Sequence, residues 1–144
     1  MDHKRRAFIK QTCTFCASLI GIAALPTVVQ SCAPIVMLKS LIDDGKIVVQ
    51  RSAFSTENKL VILRNPSLEF DIAVVWLGPD LYKAFELQCT HQANPLVPTK
   101  SGFFCSAHGS SFTFDGKVKN EPALRDLKEY PIQLDSDKLV IQLA

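Results

Sequence analysis

Cys89-Thr90-His91 and Cys105-Ser106-Ala107-His108-Gly109-Ser110 hold four of the five Cys and His residues found after residue 31, with thirteen residues between His91 and Cys105. Each arm carries one Cys and one His. Soft thiolates and borderline imidazoles in equal number suit zinc or iron–sulfur chemistry. A structural zinc site usually places two Cys on one knuckle and two His on the other. Here both arms are mixed, and Cys-x-His is tighter than a zinc knuckle. Two mixed arms suit a two-iron centre in which one metal takes both Cys and the other both His. Zinc on the same four residues is the alternative.

The surrounding sequence reads as β-structure. Lys46-Ile47-Val48-Val49-Gln50 follows the turn signal Asp43-Asp44-Gly45. Leu60-Val61-Ile62-Leu63 ends at Asn65-Pro66-Ser67, and Ile72-Ala73-Val74-Val75-Trp76-Leu77 ends at Gly78-Pro79-Asp80. Tyr82 to Leu87 runs straight into Cys89. Ile132-Gln133-Leu134 and Leu139 to Leu143 flank Asp135-Ser136-Asp137, which predicts a hairpin. Several of these runs alternate apolar and polar residues, as half-buried strands require. Turn signals recur every 8–12 residues, the spacing of a sandwich or barrel. No amphipathic helix of 12 or more residues is predicted after position 40. The acidic pairs Asp43-Asp44 and Asp135/Asp137 read as turn residues. No triad, phosphate loop or paired catalytic carboxylates emerge.

With the two arms set among strands, the chain resembles Rieske iron–sulfur domains over roughly residues 45–143. That family carries Cys-x-His in one loop and Cys-x-x-His in a second, often as Cys-Thr-His and Cys-Pro-x-His-Gly-Ser. Phe112 and Asp115-Gly116-Lys117-Val118 follow the second arm, and Glu121-Pro122-Ala123 resembles the family's Pro-containing third loop. The resemblance implies an all-β fold, a Rieske-type antiparallel β-sandwich or barrel with the cluster-binding loops at one tip. It implies a [2Fe-2S] cluster with Cys89 and Cys105 on the buried iron and His91 and His108 on the iron nearer solvent. It also implies that Ser110 donates its hydroxyl to a bridging sulfide, stabilising the reduced state and raising the potential.

Three departures stand out. Many relatives carry two more cysteines that tie the loops by a disulfide; they would sit at Asn94 and Ala107, and both are absent. The loops are then expected to rely on the cluster, on Pro95 and Pro98, and on backbone hydrogen bonds. The gap between the arms is shorter than usual. Phe112 stands where high-potential relatives place a Tyr donor, so the midpoint is expected below the top of the roughly −150 to +300 mV Rieske range. The outer nitrogens of the His ligands are expected to make the potential fall at alkaline pH.

The basicity lies at the N-terminus. The 144-residue chain has a net charge of +2, of which residues 1–31 contribute +3 and the remainder −1. No Lys/Arg-rich run follows residue 10, which argues against nucleic acid as a partner. Arg5, Arg6, Phe8, Ile9 and Lys10 resemble the twin-arginine export motif. The apolar run Thr14 to Val29 makes a helix of roughly 24 Å, short of a ~30 Å hydrocarbon core. Cys13 and Cys16 lie inside it and read as small apolar residues. Val29-Gln30-Ser31-Cys32 resembles a lipobox, with Cys32 as the lipid-bearing first residue. The expected organisation is a signal peptide or anchor helix over 1–31, a linker over 32–44 and the Rieske domain over 45–144.

The expectation is a one-electron carrier, exported and membrane-anchored, at the periplasmic face of the cytoplasmic membrane or on another envelope membrane. It is an electron-transfer protein or oxidoreductase subunit rather than a self-contained enzyme, and its partners are redox proteins or quinol. The rival readings are the Rieske subunit of a quinol-oxidising cytochrome bc-type complex, which favours an uncleaved helix, and the small subunit of an exported oxidase resembling arsenite oxidase.

Overall fold

The computed structural model describes residues 35–143. The export and lipidation positions Arg5, Arg6 and Cys32, the Cys13/Cys16 pair and the expected 1–31 leader lie outside the described residues. Twelve strands follow in order: β1 (Val36–Lys39), β2 (Lys46–Gln50), β3 (Leu60–Arg64), β4 (Ile72–Gly78), β5 (Leu81–Glu86), β6 (Val97–Thr99), β7 (Gly102–Phe104), β8 (Ser111–Phe112), β9 (Val118–Asn120), β10 (Glu129–Tyr130), β11 (Ile132–Asp135) and β12 (Lys138–Gln142). The one helical element among the described residues is a 3-10 turn, Arg51–Ala53. No helix among them is long and apolar enough to cross a membrane.

The strands form three sheets. Five make the order β1-β3-β4-β5-β10, three make β11-β12-β2, and four make β6-β7-β8-β9. All neighbours are antiparallel except β1 and β3, which run parallel with Val36 opposite Val61 and Lys39 opposite Arg64. The expected hairpin is present: Asp135 pairs with Lys138, and Ser136 turns the chain at a φ of 43°. The turn before β2 uses the left-handed region at Asp44 and Gly45, at φ 45° and 67°.

Strands β3 and β4 are buried on both faces, and this divides the apolar interior in two. Leu60, Ile62, Ala73, Val75 and Phe85 point to one core, shared with Leu96, Phe103, Cys105 and Phe112. Val61, Leu63, Ile72, Val74 and Ala84 point to the other, shared with Ile47, Val49, Leu139 and Ile141. The five-stranded sheet is thus the middle layer. The three-stranded sheet packs on one face and the four-stranded cluster-loop unit on the other. Phe85, Phe103 and Phe112 anchor the second of these contacts at 1% exposure each, each buried ring stabilising by about 1.5–3 kcal/mol.

One expectation changes. Residues 36–39 fall within the stretch expected as linker, yet they form β1. Val36 and Leu38 pack against the second core, while Met37 between them is 52% exposed. The alternation was hidden in the sequence because it continues the uncharged run that begins at Gln11.

Candidate metal centre

Strand β5 delivers the first arm. After Glu86 the chain turns so that Leu87 N–H donates to Asp71 O at 2.9 Å, and Leu96 N–H donates back to Leu87 O at 2.9 Å. Within this loop Cys89 N–H donates to Asn94 O at 2.8 Å, and Gln88 bridges Pro95. Strand β7 delivers the second arm. There Cys105 N–H donates to Ser110 O at 2.9 Å and Gly109 N–H to Cys105 O at 3.0 Å. Gly109 takes φ 85°, the left-handed conformation this tight turn needs. The expected backbone closure of both loops is therefore present. Pro98 lies in β6 opposite Phe103.

The two arms meet, and their side chains sort by kind. Cys89 and Cys105 are buried, 2% and 0% exposed, and both are free thiols. Both lie in the same apolar core. His91 and His108 are exposed, and their rings lie edge to face with centroids 5.0 Å apart. The sulfur pair thus closes one core, and the imidazole pair forms the outer edge. Among the described residues, no three His, Cys, Asp or Glu side chains converge on one ion. Two adjacent thiols and two adjacent imidazoles, arranged as separate pairs, fit a group with two metals. They do not fit one tetrahedral zinc.

Burial pushes the Cys89 thiol up, but other groups more than offset it. Backbone N–H groups of His91 and Gln92 point at its sulfur, as do the side chains of Ser110 and Cys105, and the net effect is a thiol below its ordinary value. Donors aimed at a sulfur favour negative charge there. Ser110 is fully buried. Its hydroxyl accepts Ala123 N–H at 3.0 Å and contributes to lowering the Cys89 thiol. Phe112, also buried, packs in the core beneath the thiols and offers them no donor.

The third loop completes the site. Ala123 is fully buried and reaches the second arm through Ser110. Arg125 O accepts the Thr90 hydroxyl of the first arm at 2.5 Å. A groove lined by Gln88, Thr90, His91, Gln92, Arg125 and Lys128 runs between this loop and the first arm. Sequence reasoning had the third loop by resemblance but missed Thr90 as a structural donor. Its place between Cys89 and His91 was the available signal.

Comparison with known proteins bears on the family and the fold. The Rieske [2Fe-2S] domain family matches residues 36–131, well over half of the 144-residue chain. No curated protein matches the sequence significantly. Among solved structures, a chain from a complex of reduced oxygenase and oxidized ferredoxin in carbazole 1,9a-dioxygenase is 16% identical, with 69% of this chain and 94% of that chain covered and a TM-score of 0.52. A chain of a hyperthermophilic respiratory Complex III is 19% identical over 94% of each chain, also with a TM-score of 0.52. A plasma membrane Rieske protein from the cyanobacterium Synechocystis is 24% identical, covering 68% of this chain and 86% of that one with a TM-score of 0.47. At these identities the likeness to the first two speaks for the fold alone. The family match reaches both arms and the third loop, and on that ground this chain belongs to the Rieske [2Fe-2S] domain family, whose domain binds a [2Fe-2S] cluster.

Proposed function

We propose that this protein is a one-electron carrier in which Cys89 and Cys105 hold one iron of the cluster and His91 and His108 hold the other. The observation that carries this reading is the sorting of the four side chains into a buried thiol pair and an exposed imidazole pair. When bound, the [2Fe-2S] group supplies a reversible one-electron couple. The chain's own residues do the rest. Leu96, Phe103 and Phe112 keep water from the sulfur side. Ser110 and the His91 and Gln92 N–H groups favour negative charge at the Cys89 sulfur and would thereby favour the reduced state of a bound cluster. His91 and His108 form the solvent-facing edge through which a partner protein, or quinol, exchanges the electron.

The same reading takes residues 1–31 as an export leader headed by Arg5 and Arg6, and Cys32 as the lipid attachment point. The domain is then anchored on the outer face of a bacterial cytoplasmic membrane, or on another envelope membrane. Several acyl chains on one Cys give stable anchoring where a single chain is marginal.

Two measurements test this. Electron paramagnetic resonance of the dithionite-reduced protein should give a Rieske-type signal with about two irons per chain; iron-free or zinc-loaded protein overturns the carrier. Mass spectrometry of the mature N-terminus should find lipidated Cys32. An intact Met1 or Asp2 overturns the lipid anchor and favours the subunit of a quinol-oxidising complex. Co-purification with a large molybdenum-containing chain favours the oxidase subunit.

A further inference from the structure

The two ligand loops lack the covalent tie that Asn94 and Ala107 would have to supply as cysteines, and Cys89 and Cys105 are free. Each loop closes on itself through its own backbone hydrogen bonds. Besides the Cys89 sulfur and the His91–His108 ring contact, what joins them is the third loop. Its first anchor is Ala123, whose N–H donates to Ser110 Oγ of the second loop at 3.0 Å. Two residues later, Arg125 O accepts the Thr90 hydroxyl of the first loop at 2.5 Å.

The third loop is itself fastened. Ala123 and Leu127, at 0% and 6% exposure, are sunk into the core that holds the two thiols. Asp126 accepts Val118 N–H at 3.0 Å and Lys117 Nζ at 2.8 Å. Leu127 N–H donates to Gly116 O at 2.9 Å. Leu124 is left 82% exposed between the two anchors, so the loop is held by its ends and its backbone rather than by that side chain. The fastening residues Lys117 and Val118 belong to the β8–β9 turn and β9, outside both ligand loops.

We infer that residues 123–127 act as a non-covalent strap that stands in for the missing disulfide, with Thr90 as a positioning residue that holds the first loop, and hence Cys89 and His91, in register with the second. This rests on the proposed cluster ligation. Losing one such hydrogen bond shifts a local opening equilibrium by roughly two- to tenfold. The opened form is the one in which a chelator reaches the irons.

The full-length protein tests the strap through two rates. One is the loss of visible circular dichroism under an EDTA challenge. The other is hydrogen exchange at the Ala123 amide, which needs no cluster. Thr90→Val should speed both by roughly two- to tenfold, and Thr90→Ser should restore both. Native rates in Thr90→Val overturn the strap, as does an acceleration that Thr90→Ser fails to restore. Should Thr90→Val not accumulate, Asp126→Ala releases the strap at a point remote from the ligands. It should speed exchange across 123–127 together with cluster loss, and unchanged rates overturn the strap. If the native protein binds no cluster, the carrier reading falls, while the exchange rates still decide the strap.

Discussion

Ser110→Ala separates two duties of one buried hydroxyl. In the native protein that hydroxyl accepts Ala123 N–H at 3.0 Å, and it helps hold the Cys89 thiol below its ordinary value as a donor would. Both Ser110 and Ala123 are 0% exposed, so water does not replace the lost acceptor. An orphaned buried N–H costs about 1–3 kcal/mol, and for a domain of this size about 4 °C of Tm goes with each kcal/mol. The melting temperature should fall by roughly 4–12 °C. The donated proton favours the more negative, reduced state. If about half of a charge-assisted bond of about 2–3 kcal/mol belongs to that state alone, the midpoint drops by roughly 40–65 mV. Thermal melts followed by circular dichroism and an EPR-monitored redox titration read the two effects separately. A lowered Tm with a midpoint unmoved within about 10 mV would show that Ser110 serves the fold alone. A midpoint that rises would overturn the sign of the argument.

Cys105→Ser should yield protein without the Rieske-type EPR signal; a native signal would remove Cys105 from the ligand set. Gly102→Ala should cost roughly 3 kcal/mol or more. At φ 142° its Cβ would stand 1.9 Å from Phe112 O, a backbone atom that cannot swing aside. Denaturant unfolding checks this, and a native midpoint would refute the β7–β8 contact. The Lys117 ammonium, and then Val118 N–H, hold the Asp126 carboxylate below its ordinary range. Its contribution is therefore present above the unfolded Asp value of about 3.9 and lost as pH falls through the folded value. Melts from about pH 6 to 3 should show an acid-side loss of stability that Asp126→Asn reduces. An unchanged acid limb in Asp126→Asn would refute the pairing.

The longer strands were legible because their apolar runs are bounded by turn residues. Asn65-Pro66 ends β3, Gly78-Pro79 ends β4, and Asp135-Ser136-Asp137 marks the last hairpin. The four-stranded unit was not legible, since β6 to β9 are two or three residues long and too short to show a period. That the two Cys–His arms belong together was legible because their residue types and spacing are unusual, and the structure brings them side by side. The bond from Thr90 to Arg125 O could not, because it joins positions 35 apart through a backbone atom that leaves no mark in the sequence. The donors to Cys89 from His91 and Gln92 N–H are hidden for the same reason.

The doubly buried strands β3 and β4 carry little information about their own alignment. A strand with one wet face cannot slide by one position without exposing its apolar set. Here a slide would only exchange Leu60 and Ile62 for Val61 and Leu63, one apolar set for another. Alignment must instead be written in volume. Ile62 lies opposite Ala73, and Ala73 lies opposite Phe85, a small residue between two large ones. The Arg64–Asp71 ion pair at 2.6 Å pins one end, and the irregularity between Trp76 and Gly78 pins the other. Enlarging Ala73 would therefore act on the pairing of the whole sheet, and through β5 on the position of Cys89, although the side chain itself never meets solvent.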